Sequence, residues 1–119
     1  MEDFSPECIF CNIVSGKVSA ETVFDGGDTL FFKDSHPKAP VHILGIPKKH
    51  LTSLDPMVGD DHLTIGKLLH DATHVARDAG IFESGYRIIT NVGIHGGQEI
   101  PHLHFHILGG EPLGPLRCT

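Results

Sequence analysis

The sequence predicts an α+β fold: a mainly antiparallel sheet with one long and one short helix, both on one side of the sheet. Short stretches that alternate in polarity indicate strands, and the first two flank a glycine-rich turn as in a hairpin. One longer stretch repeats its apolar residues with the period of a helix. The regular strand–helix alternation of a parallel sheet is missing, so the antiparallel arrangement is favoured.

Composition limits both the architecture and the classes of function. A chain of 119 residues fits one domain over 1–119, with its core at 8–110 and an irregular tail at 111–119. Its formal net charge of −6 argues against a general binder of nucleic acid or of membrane surfaces. Neither a long apolar run nor a signal-like start is present, so we expect a soluble, cytoplasmic protein. The odd set of Cys8, Cys11 and Cys118 does not indicate a disulfide framework.

The first predicted element is a short helix over 5–16. Ser5 suits its N-cap, Pro6 its first helical position and Gly16 its C-terminal stop. Its apolar face comprises Ile9, Phe10, Ile13 and Val14.

The predicted strands lie at 22–24, 29–33, 41–47, 86–92 and 101–108. The stretch DGGD at 25–28 supplies a tight turn between the first two strands, and Pro47 ends the third. A glycine-rich loop at 93–100 connects the last two strands. In that loop, Gly96 and Gly97 would allow the backbone to direct N–H groups at an anion.

The long helix is predicted over 60–79, and Gly80 stops it. Its buried stripe is expected to comprise Leu68, Leu69, Ala72, Val75, Ala76 and Ala79. On the opposite side of the helix, His70 and His74 are expected to face solvent. No role is assigned to His36, His42, His62 or His95.

Three of the ten histidines, His102, His104 and His106, occupy every second position of the last predicted strand. Residues two apart on a strand share a face, so these three imidazoles form a row on one face, called the histidine row below. The other face of the same strand consists of Leu103, Phe105 and Ile107.

The histidine row has three interpretations. It could be a solvated strand face, although three histidines in strict alternation are unusual. It could bind a metal through two of its members, since all three positions span about 13 Å and are too far apart to close around one ion. It could also supply a nucleophile, because neutral imidazole can attack a phosphoryl centre near pH 7.

The stretch HLHFHIL, at 102–108, resembles the signature His-φ-His-φ-His-φ-φ of the histidine-triad (HIT) superfamily, in which φ is apolar. Three longer stretches are similar to its HINT branch: CIFCNIVSGKVSAETVF at 8–24, FFKDSHPKAPVHILGIPKKH at 31–50 and NVGIHGGQEIPHLHFHILGG at 91–110. The resemblance implies a homodimer with an α+β core. It also implies hydrolysis of purine nucleoside 5′-phosphoramidates, or related nucleotidyl conjugates, through a covalent nucleotidyl-histidine and with no metal needed for catalysis.

The resemblance also implies roles for individual residues. His104, the middle histidine, would be the nucleophile, His106 would contact the α-phosphate, and Asp34 would hold the ribose hydroxyls. The walls of the base pocket would be Ile9, Phe10, Ile13 and Phe32, and the phosphate side would include Asn91, Gly97 and Gln98.

Glu99 departs from many eukaryotic HINT proteins, which have Ser at this position to assist the leaving group. Its carboxyl could protonate a departing amine, or it could change the preference among leaving groups. The stretch after Gly110 contains no Trp, which is a second departure from some relatives.

Cys8 and Cys11, at i and i+3, share one face of the first predicted helix. Taken alone, such a pair is typical of two small buried hydrophobes, and the βαβ context of a redox motif is missing. The resemblance to a bacterial subset of the family implies a structural zinc, with Cys8, Cys11, His50 and His102 as a closed tetrahedral set. The alternative is that the two histidines are only hydrogen-bonding neighbours of the row.

Two other functions stay open at this point. The chain could be a dinucleoside polyphosphate hydrolase of the same superfamily, or a nucleotide-binding regulator whose turnover is incidental.

Overall fold

The computed structural model describes residues 4–117, and these residues form two helices and five strands. The helices are α1 (Ile9–Val14) and α2 (Asp61–Asp78), and the strands are β1 (Thr22–Asp25), β2 (Thr29–Lys33), β3 (Val41–Pro47), β4 (Tyr86–Thr90) and β5 (Phe105–Gly109). The strands form one sheet in the order β1-β2-β3-β5-β4, and each neighbouring pair is antiparallel. The α+β class is therefore confirmed.

The two helices pack on opposite faces of this sheet, so the expectation that both lie on one side was wrong. Phe31 of β2 belongs to a core cluster with Leu68 of α2. The next residue, Phe32, belongs to a second cluster with Leu44 and with Phe10 of α1. The apolar residues of β2 and β3 are nearly continuous, which is typical of strands buried on both faces.

Helix α2 lies close to the predicted bounds, between the caps Asp60 and Ala79. Its buried stripe matches the prediction at Leu68, Ala72, Val75 and Ala76. Leu69 is 39% exposed, Ala79 is the partly buried C-cap, and Ile65 is buried in the stripe as well. Both His70 and His74 are exposed, as predicted. Leu69 is exposed because it falls at the margin of the face that the helix turns toward the sheet.

Helix α1 is shorter than predicted, and its N-cap is Cys8 rather than Ser5. The Cys8 N–H donates to the Ser5 carbonyl over 3.1 Å, so the chain makes a turn before the helix begins. The Sγ of Cys8 then accepts from the Cys11 N–H at 3.4 Å, as an N-cap side chain does. Gly16 ends the helix as predicted, with a φ of +87°.

The predicted hairpin of β1 and β2 is confirmed. Its turn closes when the Gly26 N–H donates to the Thr29 carbonyl over 2.9 Å. Gly27 has a φ of +90°, which a residue with a side chain rarely adopts.

Strand β5 begins at Phe105, whereas the sequence predicted a strand from 101. Before Phe105, the backbone N–H groups bond outside the sheet. The His102 N–H donates to the Ile100 carbonyl, and the Leu103 N–H donates to the Leu51 carbonyl. Only His106 of the histidine row therefore lies on a strand. β4 is also shorter than predicted and ends at Thr90.

The described part of the tail, 111–117, contains neither a helix nor a strand. Arg87 of β4 holds it by donating to the Gly114 carbonyl over 2.8 Å. Cys118 lies outside the described residues. Within 4–117, neither helix has the length and apolar character that crossing a bilayer requires.

Candidate active site and metal cluster

The histidine row lies on the face of the sheet that α1 covers. Leu103, Phe105 and Ile107 are buried in the core cluster under α2, so the alternation of faces holds even where the segment is not a strand. The ring centroids of His104 and His106 are 5.1 Å apart, and the ring centroid of Phe10 of α1 lies 5.2 Å from that of His104.

His104 is held in one tautomer by the backbone. Its Nδ1 lies 2.7 Å from the carbonyl oxygen of His102, and a carbonyl can only accept, so Nδ1 carries the proton. The Nε2 atom is then left with a free lone pair. The Thr90 hydroxyl fixes the same residue from the other side by donating to the His104 carbonyl over 2.7 Å. This is the state in which an imidazole can act as a nucleophile.

His42, to which the sequence analysis assigned no role, orients His106. The Lys38 N–H donates to Nδ1 of His42 over 3.0 Å, so the proton of His42 sits on Nε2. That Nε2 is 2.9 Å from Nδ1 of His106 and 3.3 Å from Oδ2 of Asp34. When it donates to His106, the remaining proton of His106 is on Nε2, where it can be offered to an anion.

Burial keeps both of these imidazoles neutral. It lowers the pKa of His106 to about 4, with the nearby His104 as the next cause. Burial also lowers the pKa of His42, although the carboxylate of Asp34 opposes that shift. The ring of His42 is therefore neutral at pH 7, and its contact with the Asp34 carboxylate is not an ion pair.

His104 and His106 line a cavity of about 1040 Å³ that opens on this face of the molecule. With one exception, the residues predicted to bind substrate line the same cavity: Ile9, Phe10, Ile13, Phe32, Asp34, Asn91, Gly97 and His106. Glu99, predicted to act on the leaving group, lines it too. The side chain of Ile9 is 48% exposed, which is unusual for an apolar residue in a core and typical of a pocket wall. The structure thus brings together residues from five separate segments of the chain.

Gln98 is the one predicted substrate residue that does not line the cavity. Its side chain is engaged within the loop: Nε2 donates to the Thr52 carbonyl over 2.6 Å, and Oε1 accepts from the Gly93 N–H at 3.2 Å. Gln98 therefore shapes the loop, and its contact with substrate stays a prediction.

The glycine-rich loop differs from the expected anion cradle. The Gly97 N–H donates to the Ile94 carbonyl over 3.0 Å, so it is not free to bind an anion. At Gly96 an added Cβ would overlap the Val92 carbonyl, which explains why only glycine fits there. The side chain of Asn91 supports the turn by donating to the Gly96 carbonyl over 2.6 Å.

The four predicted metal ligands, Cys8, Cys11, His50 and His102, converge beside the end of the histidine row. All their ligand atoms lie within 4.8 Å of one another, and the two cysteines are buried free thiols. We call this group the Cys–His cluster.

Distances in the Cys–His cluster fit a tetrahedral metal. Nδ1 of His102 is 3.2 Å from Sγ of Cys8 and 3.7 Å from Sγ of Cys11, and Nδ1 of His50 is 3.4 Å from Sγ of Cys11. The two Nδ1 atoms are 3.2 Å apart. Zinc bonds of about 2.3 Å to sulfur and about 2.0–2.1 Å to nitrogen, at tetrahedral angles, would put S···N near ~3.6 Å and N···N near ~3.3 Å.

The tautomer of His102 suits the same role. Its Nε2 lies 2.9 Å from the Pro47 carbonyl, so Nε2 carries the proton and Nδ1 presents a lone pair to the cluster. Burial lowers the pKa of His102 to about 4, which keeps the ring neutral. Burial raises the pKa of the Cys11 thiol, an effect that a bound cation would reverse.

A second group of possible ligands, Asp34, His42 and His106, also lies within 4.8 Å. Its two imidazoles are already joined by a direct hydrogen bond and line the open cavity. The Cys–His cluster, which is closed and contains two soft sulfur ligands, is the better metal site.

Fold and site together define a histidine-triad protein: an imidazole with a free Nε2 lone pair, flanked by further histidines and open to a large cavity. The family model of the HIT domain matches residues 15–113. This chain belongs to the HIT family.

Comparisons with individual proteins agree. The chain is 37% identical over 110 residues to the purine nucleoside phosphoramidase of Escherichia coli. The matched region covers 92% of each of the two chains. Among solved structures, it is similar to a histidine triad protein from Clostridium difficile, with a TM-score of 0.91, 37% identity and coverage of 98% and 100%. A HIT family hydrolase from Clostridium thermocellum matches with a TM-score of 0.89, 37% identity and coverage of 93% and 96%. The chain is a hydrolase of this family.

Proposed function

We propose that this protein hydrolyses purine nucleoside 5′-phosphoramidates, or related nucleotidyl conjugates, to nucleoside monophosphates. The observation that carries the proposal is His104, whose proton is held on Nδ1 while its Nε2 lone pair is left for the cavity. The name of the Escherichia coli relative supports the same substrate class.

The cavity has chemically distinct ends that suit a nucleotide. Ile9, Phe10 and Ile13 of α1, together with Phe32, offer an apolar wall for a purine base. Oδ1 of Asp34 accepts from the His36 N–H at 2.8 Å, which fixes the carboxylate in the cavity wall. A fixed carboxylate can accept hydrogen bonds from both ribose hydroxyls.

The reaction follows from the tautomers. Nε2 of His104 attacks the phosphorus in line with the leaving amine, and a P–N bond to the histidine forms as the bond to the amine breaks. The amine departs with a proton from Glu99 or from solvent. Nε2–H of His106 stabilises the charge on the phosphoryl oxygens. Water then cleaves the nucleotidyl-histidine and releases the nucleoside monophosphate.

Zinc is the metal we propose for the Cys–His cluster. Two thiolates and two neutral imidazoles form a closed set, which is typical of structural zinc and leaves no position for substrate. The metal would hold α1 against the end of the histidine row, and it takes no part in the chemistry. Two free thiols kept as ligands also favour the reducing cytoplasm, the location we propose.

We further propose that the protein acts as a homodimer through β4. This strand lies at one edge of the sheet, and each of its five residues is only half-buried. An edge strand with unpaired backbone groups and half-buried side chains readily pairs with a second copy. Analytical ultracentrifugation tests this point, and a monomer at micromolar concentration would contradict it.

The function itself is tested by turnover of adenosine 5′-phosphoramidate, with His104→Ala as the control. A panel of nucleoside phosphoramidates and dinucleoside polyphosphates, ranked by kcat/KM, separates the proposed activity from that of a dinucleotide hydrolase. Nucleotide binding without turnover above that of His104→Ala would instead identify a binding protein.

A further inference from the structure

We propose that the Cys–His cluster and the nucleotide cavity are thermodynamically coupled. Metal bound at the cluster strengthens nucleotide binding, and bound nucleotide strengthens metal binding by the same factor. The inference rests on the proposed function and on the proposed zinc site, and it goes beyond both because neither requires the two sites to communicate.

The first connection is helix α1, which belongs to both sites. Its N-cap Cys8 and its buried Cys11 are members of the cluster, while Ile9 and Ile13 of the same helix line the cavity. A helix of six residues is too short to be stable alone, so it depends on what holds it to the sheet. Each site orders the helix that the other needs.

The second connection is the ring of Phe10. This side chain is only 4% exposed, and it packs edge-to-face with the rings of His102 and His104, at centroid distances of 5.7 and 5.2 Å. One aromatic ring thus packs against a metal ligand and against the nucleophile. A shift of His102 must move Phe10, because interiors are packed too closely to absorb it elsewhere.

The third connection is the backbone of His102. Its side chain enters the cluster, and its carbonyl oxygen accepts the Nδ1 proton of His104 at 2.7 Å. Nε2 of the same ring is tied to the Pro47 carbonyl. Placement of the His102 ring by a metal therefore also places the carbonyl that sets the tautomer of His104.

Coupling follows because the cost of ordering is shared. Without a metal, the Nδ1 atoms of His102 and His50 and the two thiols are held together only by weak S–H hydrogen bonds, which order the cluster less than metal bonds do. The ligand that binds first fixes α1, Phe10 and His102, and the second ligand then binds a site that is already ordered. The observable counterpart is hydrogen exchange of the amides of α1.

Two affinities measured on the full chain test the proposal. Calorimetry gives the dissociation constant of adenosine monophosphate for the zinc-loaded and the zinc-free protein. Competition with a chromophoric chelator gives the zinc affinity with and without saturating adenosine monophosphate. We expect both affinities to change by one common factor of about ten, which lies within the usual range for coupled sites. Amide exchange in α1 should slow with either ligand.

Two variants distinguish coupling through the contacts between the two sites from coupling through stabilisation of the whole fold. Phe10→Leu removes the shared ring and should reduce the common factor toward one, while His74→Gln, at an exposed position on the other face of the sheet, should leave it unchanged. A factor that persists in Phe10→Leu, with zinc slowing amide exchange across the whole chain and not chiefly in α1, would show that zinc acts by folding the whole chain, which overturns the inference.

Other outcomes overturn the inference at different levels. If adenosine monophosphate and zinc both bind but their affinities are independent, the coupling alone is wrong. If the nucleotide does not bind in any state, the inference fails together with the proposed function. If zinc does not bind, it fails together with the proposed metal.

Discussion

His102 and His106 lie four residues apart in one extended segment, yet their surroundings differ at every point. The His102 ring is fully buried among two thiols and a second imidazole, with its remaining nitrogen tied to a backbone carbonyl. The His106 ring is half-buried, faces a cavity of about 1040 Å³ and is bonded to His42. One end of the histidine row is closed, and the other is open.

The difference shows that the covering element, and not the residue type, decides what an imidazole does. Helix α1 supplies sulfur atoms where it crosses the first histidine, so that ring joins a closed ligand set. The last histidine is bonded to the neutral imidazole of His42, which in turn contacts the Asp34 carboxylate, and it keeps a proton to offer to an anion. His104 lies between the first and the last histidine and depends on both: the His102 carbonyl sets its tautomer, and it lines the same cavity as His106.

The largest expected effect on activity comes from His104, which lies between the closed and the open end of the histidine row. His104→Ala should lower kcat by at least about a thousandfold, because it removes the nucleophile, while nucleotide affinity stays within about threefold. Rapid quenching of the unmodified enzyme with a labelled phosphoramidate, followed by peptide mapping, should place the label on His104. A near-normal rate in His104→Ala, with no adduct in single turnover, would rule out the covalent mechanism.

The closed end should matter for stability. Cys11→Ser should lower zinc content well below one ion per chain, since one sulfur ligand is lost from the cluster. Zinc at about 100 times its dissociation constant should raise the free energy of unfolding of the unmodified protein by about 2.7 kcal/mol, and this gain should be absent in the variant. Metal analysis and thermal unfolding measure both; equal zinc content in the two proteins would contradict the ligand assignment.

The open end should matter for substrate. Asp34→Ala should weaken binding of ribose nucleotides about tenfold or more, because a hydrogen bond to a charged group contributes about 1.5–3 kcal/mol. The loss should be smaller for 2′-deoxyribose analogues, which offer one hydroxyl fewer. Calorimetry with matched pairs gives the comparison, and an equal loss for both sugars would refute the ribose contact.

The smallest effect near neutral pH is expected from His106. Its pKa of about 4 in the fold lies below the 6.5 of an exposed histidine, so the unfolded chain takes up this proton first. The contribution of His106 to stability is therefore complete above pH 6.5 and is lost as the pH falls toward 4. Imidazole resonances recorded against pH, with His106→Gln to assign the signal, measure the midpoint; a value near 6.5 would show that the ring is not buried as described.

The sequence was enough to predict most of the residues that line the cavity. It did not predict the start of β5, the role of His42 or the placement of the helices on opposite faces of the sheet. The alternation of polarity from 102 to 107 was enough to separate the row from the core face, because side chains in any extended segment alternate. It could not reveal that β5 starts at Phe105, since that depends on where the amides of His102 and Leu103 find their acceptors. Those acceptors, Ile100 and Leu51, are set by the tertiary fold.

His42 shows what a sharper treatment of the sequence would have found. It alternates with Leu44 and Ile46 on β3, so a polar ring stands on a face that is otherwise apolar. Such a residue needs a buried partner, and pairing of β3 with β5 brings it to His106. The same alternation, applied to the continuous apolar residues of β2 and β3, would have placed α1 and α2 on opposite faces.

Helix α1 also determines how large a molecule the enzyme can accept. Six helical residues extend about 9 Å, whereas the seven residues of β3 beneath them extend about 23 Å. The uncovered part of the sheet, which includes Phe32, Leu44 and Leu108, forms the floor of the cavity, so a short helix leaves room for a large ligand. Lengthening α1 by a single turn, about 5.4 Å, would narrow the range of substrates without altering one catalytic group.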